Sequence, residues 1–331
     1  MSYNQNTSYG RALLNMITSV CPAFGNVHVV LNSSNSDEKN YQQLQDVMKV
    51  DGDGYVRFFT SLESAYTACE SNNNDVILLD ANSSHVVAAG MDWSKNRIHV
   101  IGMDGGDRLV QQGAKVQSTD GVGDAYVIKV TGTRNSFVNI KFIQVDTTNT
   151  SLTVAQDGGE GTLWKNCSFT FGVSDNLGGA TTYEFVAGSD SATYINCTFG
   201  SDTLLTSAAR SVFRIDQVTS GQEFKSNIMK DCLFNISFSE AGAYLLSVAA
   251  NTDVLFSNLF IDCNFLASVD SAGGIALTNA ITSVSGLVKG CLAFKNPGAF
   301  NCTNFSANDS TAVEVQAPAV SNNAFEAVTP A

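Results

Sequence analysis

A short phrase returns along this chain at a spacing close to thirty residues: an Asn, Asp or Gly, then Cys, then any residue, then an aromatic. It reads Asn166-Cys167-Ser168-Phe169, Asn196-Cys197-Thr198-Phe199, Asp231-Cys232-Leu233-Phe234 and Asp262-Cys263-Asn264-Phe265. Degenerate copies stand at Asn139-Ile140-Lys141-Phe142 and around Cys291. The intervals between the marked Cys or Ile positions are 27, 30, 35, 31 and 28 residues. A period of this size means one supersecondary unit stacked on copies of itself.

The local pattern identifies the unit. Ile195, Cys197 and Phe199 share one parity, as do Ile261, Cys263 and Phe265, and the positions between are polar or small. That is the two-residue alternation of a strand, and it fits helical repeats poorly. Each copy leads into a polar, Gly- and Ser-rich stretch and then a second β-rich run such as Tyr244-Leu245-Leu246-Ser247-Val248. The pattern predicts an all-β fold, a right-handed parallel β-helix in which each coil rises by one strand spacing of about 4.8 Å. Equivalent residues then lie above one another. Ile140, Cys167, Cys197, Cys232, Cys263 and Cys291 are expected to form one internal stack, and Phe142, Phe169, Phe199, Phe234 and Phe265 another. Asn139, Asn166, Asn196, Asp231 and Asp262 are expected to form a hydrogen-bonded ladder at a corner.

A solenoid tolerates 331 residues in one body because each coil touches only its neighbours. An apolar content of 44% with 20 Phe supplies a core and excludes a disordered chain. A net charge of −13 argues against binding nucleic acid through phosphates and against adhesion to anionic membranes. The polar start at Met1 to Gly10 does not read as a signal peptide, and no apolar run is long enough to span a bilayer. The ladder Cys are therefore expected to be free thiols, since stacked Cβ atoms about 4.8 Å apart exceed the roughly 3.5–4.5 Å that a disulfide wants. The glycosylation sequons at Asn166, Asn196 and Asn301 read as coincidences of the ladder.

Three regions follow: an N-terminal arm over 1–50, a β-helix over 51–296, and an extended arm over 297–331. Arg11 to Val20 has the pattern of a short amphipathic helix and Val27 to Leu31 that of a strand. Leu62, Ala65, Tyr66 and Cys69 share a face of a helix near 61–70, placed to cover the open end of the first coil. Asp75 to Leu79 and Ile98 to Gly102 read as early strands.

This order of helix, strands and Asn-Cys-x-Phe coils resembles the pectate-lyase-like right-handed β-helix superfamily. More narrowly, Asp51-Gly52-Asp53-Gly54-Tyr55-Val56-Arg57-Phe58-Phe59-Thr60 leading into the helix is similar to tailed-bacteriophage β-helix proteins encoded near the major capsid gene. That likeness implies a virion protein assembled in the host cytoplasm, either capsid-decorating or otherwise head-associated. It would bind the major capsid protein or other virion proteins through its ends, as a homo-oligomer with a trimer favoured.

Glycosidases of this shape carry Asn-Thr-Asp, a paired Asp-Asp, a Gly-His-Gly and an Arg-x-Lys on successive coils. The chain has Asn251-Thr252-Asp253, but no Asp-Asp pair and no His beyond His99. Lys165, Lys230 and Lys289 recur two residues before a ladder Cys, which suits solvent-edge protection of a strand better than a lyase base. Asp104-Gly105-Gly106-Asp107 and Asp157-Gly158-Gly159-Glu160-Gly161 read as acidic turns, His28 and His99 as residues of apolar strands and His85 as a loop residue, and none of the three His has partners at metal spacing. The expectation is a structural protein that is not an enzyme, with no catalytic residue, cofactor or metal. A carbohydrate-binding or carbohydrate-cleaving spike is the alternative.

Overall fold

The computed structural model describes residues 15, 18, 25–31, 58–81, 84–104, 113–121, 123, 125–148, 151–172, 181–205, 209–221, 223–238, 244–249, 258–269, 276–278, 286–296 and 313–316. Strands β1 (Val27–Val30) and β2 (Phe58–Phe59) precede helix α1 (Leu62–Ala68). Coils of three strands follow. The first is β3 (Asp75–Leu79), β4 (Ser84–Val86) and β5 (Met91–Trp93), and the second β6 (Ile98–Gly102), β7 (Lys115–Gln117) and β8 (Ile128–Val130). The third is β9 (Ser136–Val138), β10 (Lys141–Gln144) and β11 (Ser151–Asp157), and the fourth β12 (Leu163–Lys165), β13 (Ser168–Phe171) and β14 (Thr181–Ala187). The fifth is β15 (Thr193–Ile195), β16 (Thr198–Leu205) and β17 (Ala209–Ile215), and the sixth β18 (Ile228–Lys230), β19 (Leu233–Phe238) and β20 (Tyr244–Val248). The seventh is β21 (Asn258–Ile261), β22 (Asn264–Val269) and β23 (Ala276–Thr278), after which β24 (Gly286–Asn296) pairs with both β21 and β22, and β25 (Val313–Gln316) pairs with β24.

Pairing is parallel throughout, between corresponding strands of successive coils, as at Phe142↔Phe169 and Phe234↔Phe265. Three stacked sheets result. The first runs from β1 through β3 and β6 to β24, the second from β4 through β7 and β10 to the far half of β24, and the third from β5 to β23. The chain is a right-handed parallel β-helix, as the repeat predicts. Two stretches read as arms contribute rungs: Val27–Val30 pairs with Val76–Leu79, and β25 pairs with β24. Three Val and His28 make up β1, and all four are buried, as suits a strand covered on both faces. Of the helix expected over Arg11 to Val20, only Asn15 and Thr18 fall among the described residues, and both are helical.

The end of the column is closed by α1. Ser61 Oγ accepts from Ser64 N at 3.2 Å as the N-cap, and Leu62, Ala65 and Tyr66 are buried. Tyr66 packs on Trp93 with ring centroids 4.1 Å apart, and its hydroxyl accepts from Ser94 N and Lys95 N at 2.7 and 2.8 Å. Lys95 Nζ donates to the Tyr66, Thr67 and Cys69 carbonyls at 2.8, 2.8 and 2.7 Å, placing a cation against the carbonyls at the helix C-terminus.

Inside, aromatic rings stack coil on coil. Phe142–Phe169, Phe169–Phe199, Phe199–Phe234 and Phe234–Phe265 lie 5.5, 5.2, 5.0 and 4.7 Å apart, with interplanar angles of 7°, 8°, 20° and 11°. A second column, Phe137, Trp164, Tyr194, Met229 and Phe260, lines the first sheet in register. Among the described residues no helix is long and apolar enough to cross a membrane, which says nothing of a β-barrel.

Candidate functional site

The corner between the first two sheets holds Asn139, Asn166, Asn196, Asp231 and Asp262, with φ between 52° and 60°. This left-handed backbone is costly for most L-residues and least so for Gly, Asn and Asp, which accounts for the residue types. Asn196 Nδ2 donates to Asn166 Oδ1 at 2.8 Å, and Asn166 Nδ2 to Asn139 Oδ1 at 3.0 Å. The next residue of each copy turns inward. Cys167, Cys197, Cys232, Cys263 and Cys291 are buried free thiols, each donating to a carbonyl one coil below: Phe137, Trp164, Tyr194, Met229 and Phe260, at 3.3–3.6 Å. Ile140 occupies the same position in the third coil and is fully buried. Burial holds the Cys197 and Cys232 thiols well above their ordinary pKa. These residues form scaffold rather than a reactive centre.

A further ladder escaped the sequence reading. Asn227 Nδ2 donates to Asn258 Oδ1 at 3.2 Å, Asn227 Oδ1 accepts from Ala192 N at 2.7 Å, and Asn135 Oδ1 accepts from Ile98 N at 2.9 Å. These Asn stand four positions before the corner residues 139, 231 and 262, so an Asn-x-x-x-Asn/Asp spacing was the available signal.

Other candidates are dispersed. Lys165 and Lys230 are exposed, and the register interleaves the three lysines with apolar residues as Val138, Lys165, Ile195, Lys230, Ile261, Lys289. They form no continuous cationic column. Asn251-Thr252-Asp253 lies outside the described residues. His85 is in strand β4, not a loop, and is buried with Nε2 2.9 Å from the Asp80 carbonyl. Burial lowers its pKa, and that of His99 to about 4. Asp104 Oδ2 accepts from Gly113 N, and Gly105, Gly106 and Asp107 lie outside the described residues.

Asp157 is not a surface turn residue. Its side chain is fully buried, with Oδ2 accepting from Trp164 Nε1 at 2.9 Å and Tyr194 OH at 2.8 Å, and Oδ1 from Gly159 N at 3.1 Å. Burial pushes its pKa up to about 6 despite those donors. No path to solvent makes it a candidate for chemistry on a substrate.

The outer face of the third sheet is the surface best equipped to meet a ligand. Thr153, Tyr183, Ser211 and Tyr244 align across β11, β14, β17 and β20, and Lys129, Gln156, Val186, Arg214 and Ser247 align beside them. Thr153, Ser211, Val186 and Ser247 are buried, so Lys129, Gln156, Tyr183, Arg214 and Tyr244, all half-buried, are what this face offers to solvent. Arg214 lies over the Tyr183 ring, Cζ to centroid 4.6 Å, and its Nη1 donates to the Tyr183 hydroxyl at 2.6 Å. Its Nε donates to Asp216 Oδ2 at 2.9 Å. Tyr183, Arg214 and Asp216 are half-buried. A guanidinium carries five N–H donors, and these bonds use two of them. Oriented in this way, it presents a planar fork beside an aromatic ring, an arrangement suited to a carboxylate or sugar hydroxyl. On the first two coils, four rungs from Arg214, the Tyr126 hydroxyl donates to Asp92 Oδ1 at 2.8 Å.

No family model and no curated protein matches this chain. Solved structures do. The pectin methylesterase from Aspergillus niger in deglycosylated form is 10% identical, with 82% of this chain and 80% of that one covered and a TM-score of 0.46. Pectin methylesterase PemA from Erwinia chrysanthemi is 11% identical, with 82% and 80% covered and a TM-score of 0.47. Dettilon tailspike protein is 12% identical, with 86% and 72% covered and a TM-score of 0.24. At such identities the likeness concerns the fold alone.

One expectation is corrected by these matches. The expectation of a protein that is not an enzyme rests on a missing glycosidase set, yet the solved structures that share its fold include pectin methylesterases, which are enzymes. The missing residues rule out one constellation for one reaction. A β-helix face accepts many constellations, so absence of that set does not amount to absence of catalysis.

Proposed function

We propose that this chain is a β-helix protein of a tailed-phage particle, associated with the head and in contact with capsid neighbours and copies of itself. The observation that carries the reading is mechanical. Successive coils from β3 to β24 are tied by parallel pairing, with one register shift between β16 and β19, around an aromatic column and, from Cys167 on, a thiol column, and α1 closes one end. Such a body resists bending and presents long flat faces suited to lateral association. The likeness of Asp51 to Thr60 to head-gene-linked phage proteins supports the same reading. The test is the purified particle: peptides of this chain in stoichiometric amount, and density fitted by a three-faced rod on the head. Particles without the chain, or with it only on the tail, refute the head assignment.

The Tyr183, Arg214 and Asp216 arrangement favours a second reading, in which the outer face of the third sheet engages an acidic carbohydrate. Titration with oligogalacturonate, followed by changes in Tyr fluorescence, tests it. An absence of saturable binding refutes it.

A further inference from the structure

Three side chains from separate elements meet at the closed end of the column, away from the outer face of the third sheet. His28 lies on β1, Cys69 caps the C-terminus of α1, and Asp75 opens β3. All three are buried, and their imidazole nitrogen, thiol sulfur and carboxylate oxygen lie within 4.8 Å of one another. His28 Nε2 is 4.0 Å from Asp75 Oδ2. The carboxylate is fixed by its surroundings: Oδ1 accepts from Asn26 N at 2.7 Å and Asn73 Nδ2 at 2.8 Å, and Oδ2 from Glu70 N at 2.7 Å. Cys69 Sγ is held 3.3 Å from the Ala65 carbonyl.

We propose that His28, Cys69 and Asp75 bind one divalent cation of the zinc class, which clamps β1, α1 and β3 together at this end. One nitrogen, one sulfur and one oxygen donor make a set that zinc accepts, with water completing a tetrahedron. Donors bound to one ion at about 2.0–2.3 Å lie about 3.3–3.8 Å apart in a tetrahedron, so closure needs shifts of about an ångström or less. Charge favours the same conclusion. The fully buried Asp75 carboxylate and a Cys69 thiolate together neutralise a dication, and binding releases the thiol proton to solvent. The thiols of the ladder stack on one another inside the coils, whereas Cys69 alone among the described cysteines has a His and an Asp beside it.

The experiment uses the full-length protein, free of any affinity tag, stripped with chelator and titrated with Co²⁺ and then Zn²⁺. The expected result is one equivalent bound, a thiolate-to-cobalt charge-transfer absorption that Zn²⁺ abolishes, and a higher unfolding temperature with Zn²⁺ than with chelator. Cys69→Ser and His28→Asn should remove the absorption while Cys197→Ser retains it. The proposal is overturned if the wild-type protein gives no such absorption. It is equally overturned if the absorption survives Cys69→Ser, or persists unchanged in a His28→Asn protein whose circular dichroism is native. Should neither variant fold, the wild-type unfolding temperature decides, and equal values with Zn²⁺ and with chelator overturn the clamp.

Discussion

Trp164 Nε1 donates to Asp157 Oδ2 across 2.9 Å, wholly inside the column, and Tyr194 of the next coil donates to the same oxygen at 2.8 Å. An acid is thus set among aromatic rings, and burial raises its pKa from 3.8 to about 6. A carboxyl whose native pKa is raised binds protons more readily folded than unfolded. Its protonated form favours the native state below about pH 4, and that contribution is lost as pH rises from about 4 to about 6. Two pKa units correspond to about 3 kcal/mol. Asp157→Asn should therefore remove a downward slope in stability over that window. The check is urea unfolding of both proteins from pH 4 to pH 7, and a wild-type minus variant difference that stays constant across it contradicts the assignment.

Phe234 lies between Phe199 and Phe265 at 5.0 and 4.7 Å and is fully buried. Replacing it with Ala opens a cavity between two coils that cannot collapse independently. The expected cost is about 3–5 kcal/mol. Lys230, exposed on the first sheet, should change stability by less than about 0.5 kcal/mol when replaced with Ala. Denaturant midpoints of the two variants should differ accordingly, and similar midpoints would sink the stacking account.

The corner residues separate backbone from side-chain effects. Asn166 has φ 52° and makes ladder bonds to the coils above and below. Asn166→Gly loses the bonds but relieves the left-handed backbone, whereas Asn166→Ala loses both. Ala should be the less stable of the two by about 1 kcal/mol, the cost of left-handed φ for a residue with a Cβ. Equal stabilities would mean that φ is not what selects Asn here.

The six described cysteines are buried, and a thiol must reach solvent as thiolate to react. Native protein treated with iodoacetamide at pH 8 should show no adduct at Cys167, Cys197, Cys232 or Cys263 by peptide mass spectrometry, and full modification in denaturant. Modification of any of these four at the rate of a free thiol would show that the coils open locally.

The coils were legible because their most constrained corner admits few residue types. A left-handed backbone with a small inward neighbour selects Asn-Cys or Asp-Cys, and the period appears in the letters. The opposite corner is equally regular in backbone but silent in sequence: Arg97, Arg134, Gly161, Ser191 and Ser226 all have φ between 56° and 67°, and share no chemistry. His85 reads as a loop residue because a three-residue strand that follows the polar run Asn82-Ser83 carries too little alternation to be told from a loop. Asp157 reads as a turn residue because Gly158 and Gly159 follow it, although its side chain is fully buried in the core. The Tyr183–Arg214 pair is separated by 31 residues and becomes visible only when the coil period is applied to the third sheet.

That pair carries the last prediction. Arg214 is oriented by the Tyr183 ring and hydroxyl and by Asp216, so its fork geometry rather than its charge alone is what a ligand carboxylate would meet. Lys retains the charge and loses the planar fork. If the outer face of the third sheet engages acidic sugars, Arg214→Lys should weaken oligogalacturonate binding about tenfold, the loss of roughly 1.4 kcal/mol expected when a bidentate contact becomes a point contact. The substitution should leave the circular dichroism spectrum unchanged, because Arg214 lies outside the aromatic columns. Calorimetric titration of the two proteins at equal ionic strength is the measurement. Affinities that agree within twofold would remove Arg214 from any recognition role and leave the face as a packing surface between neighbouring columns.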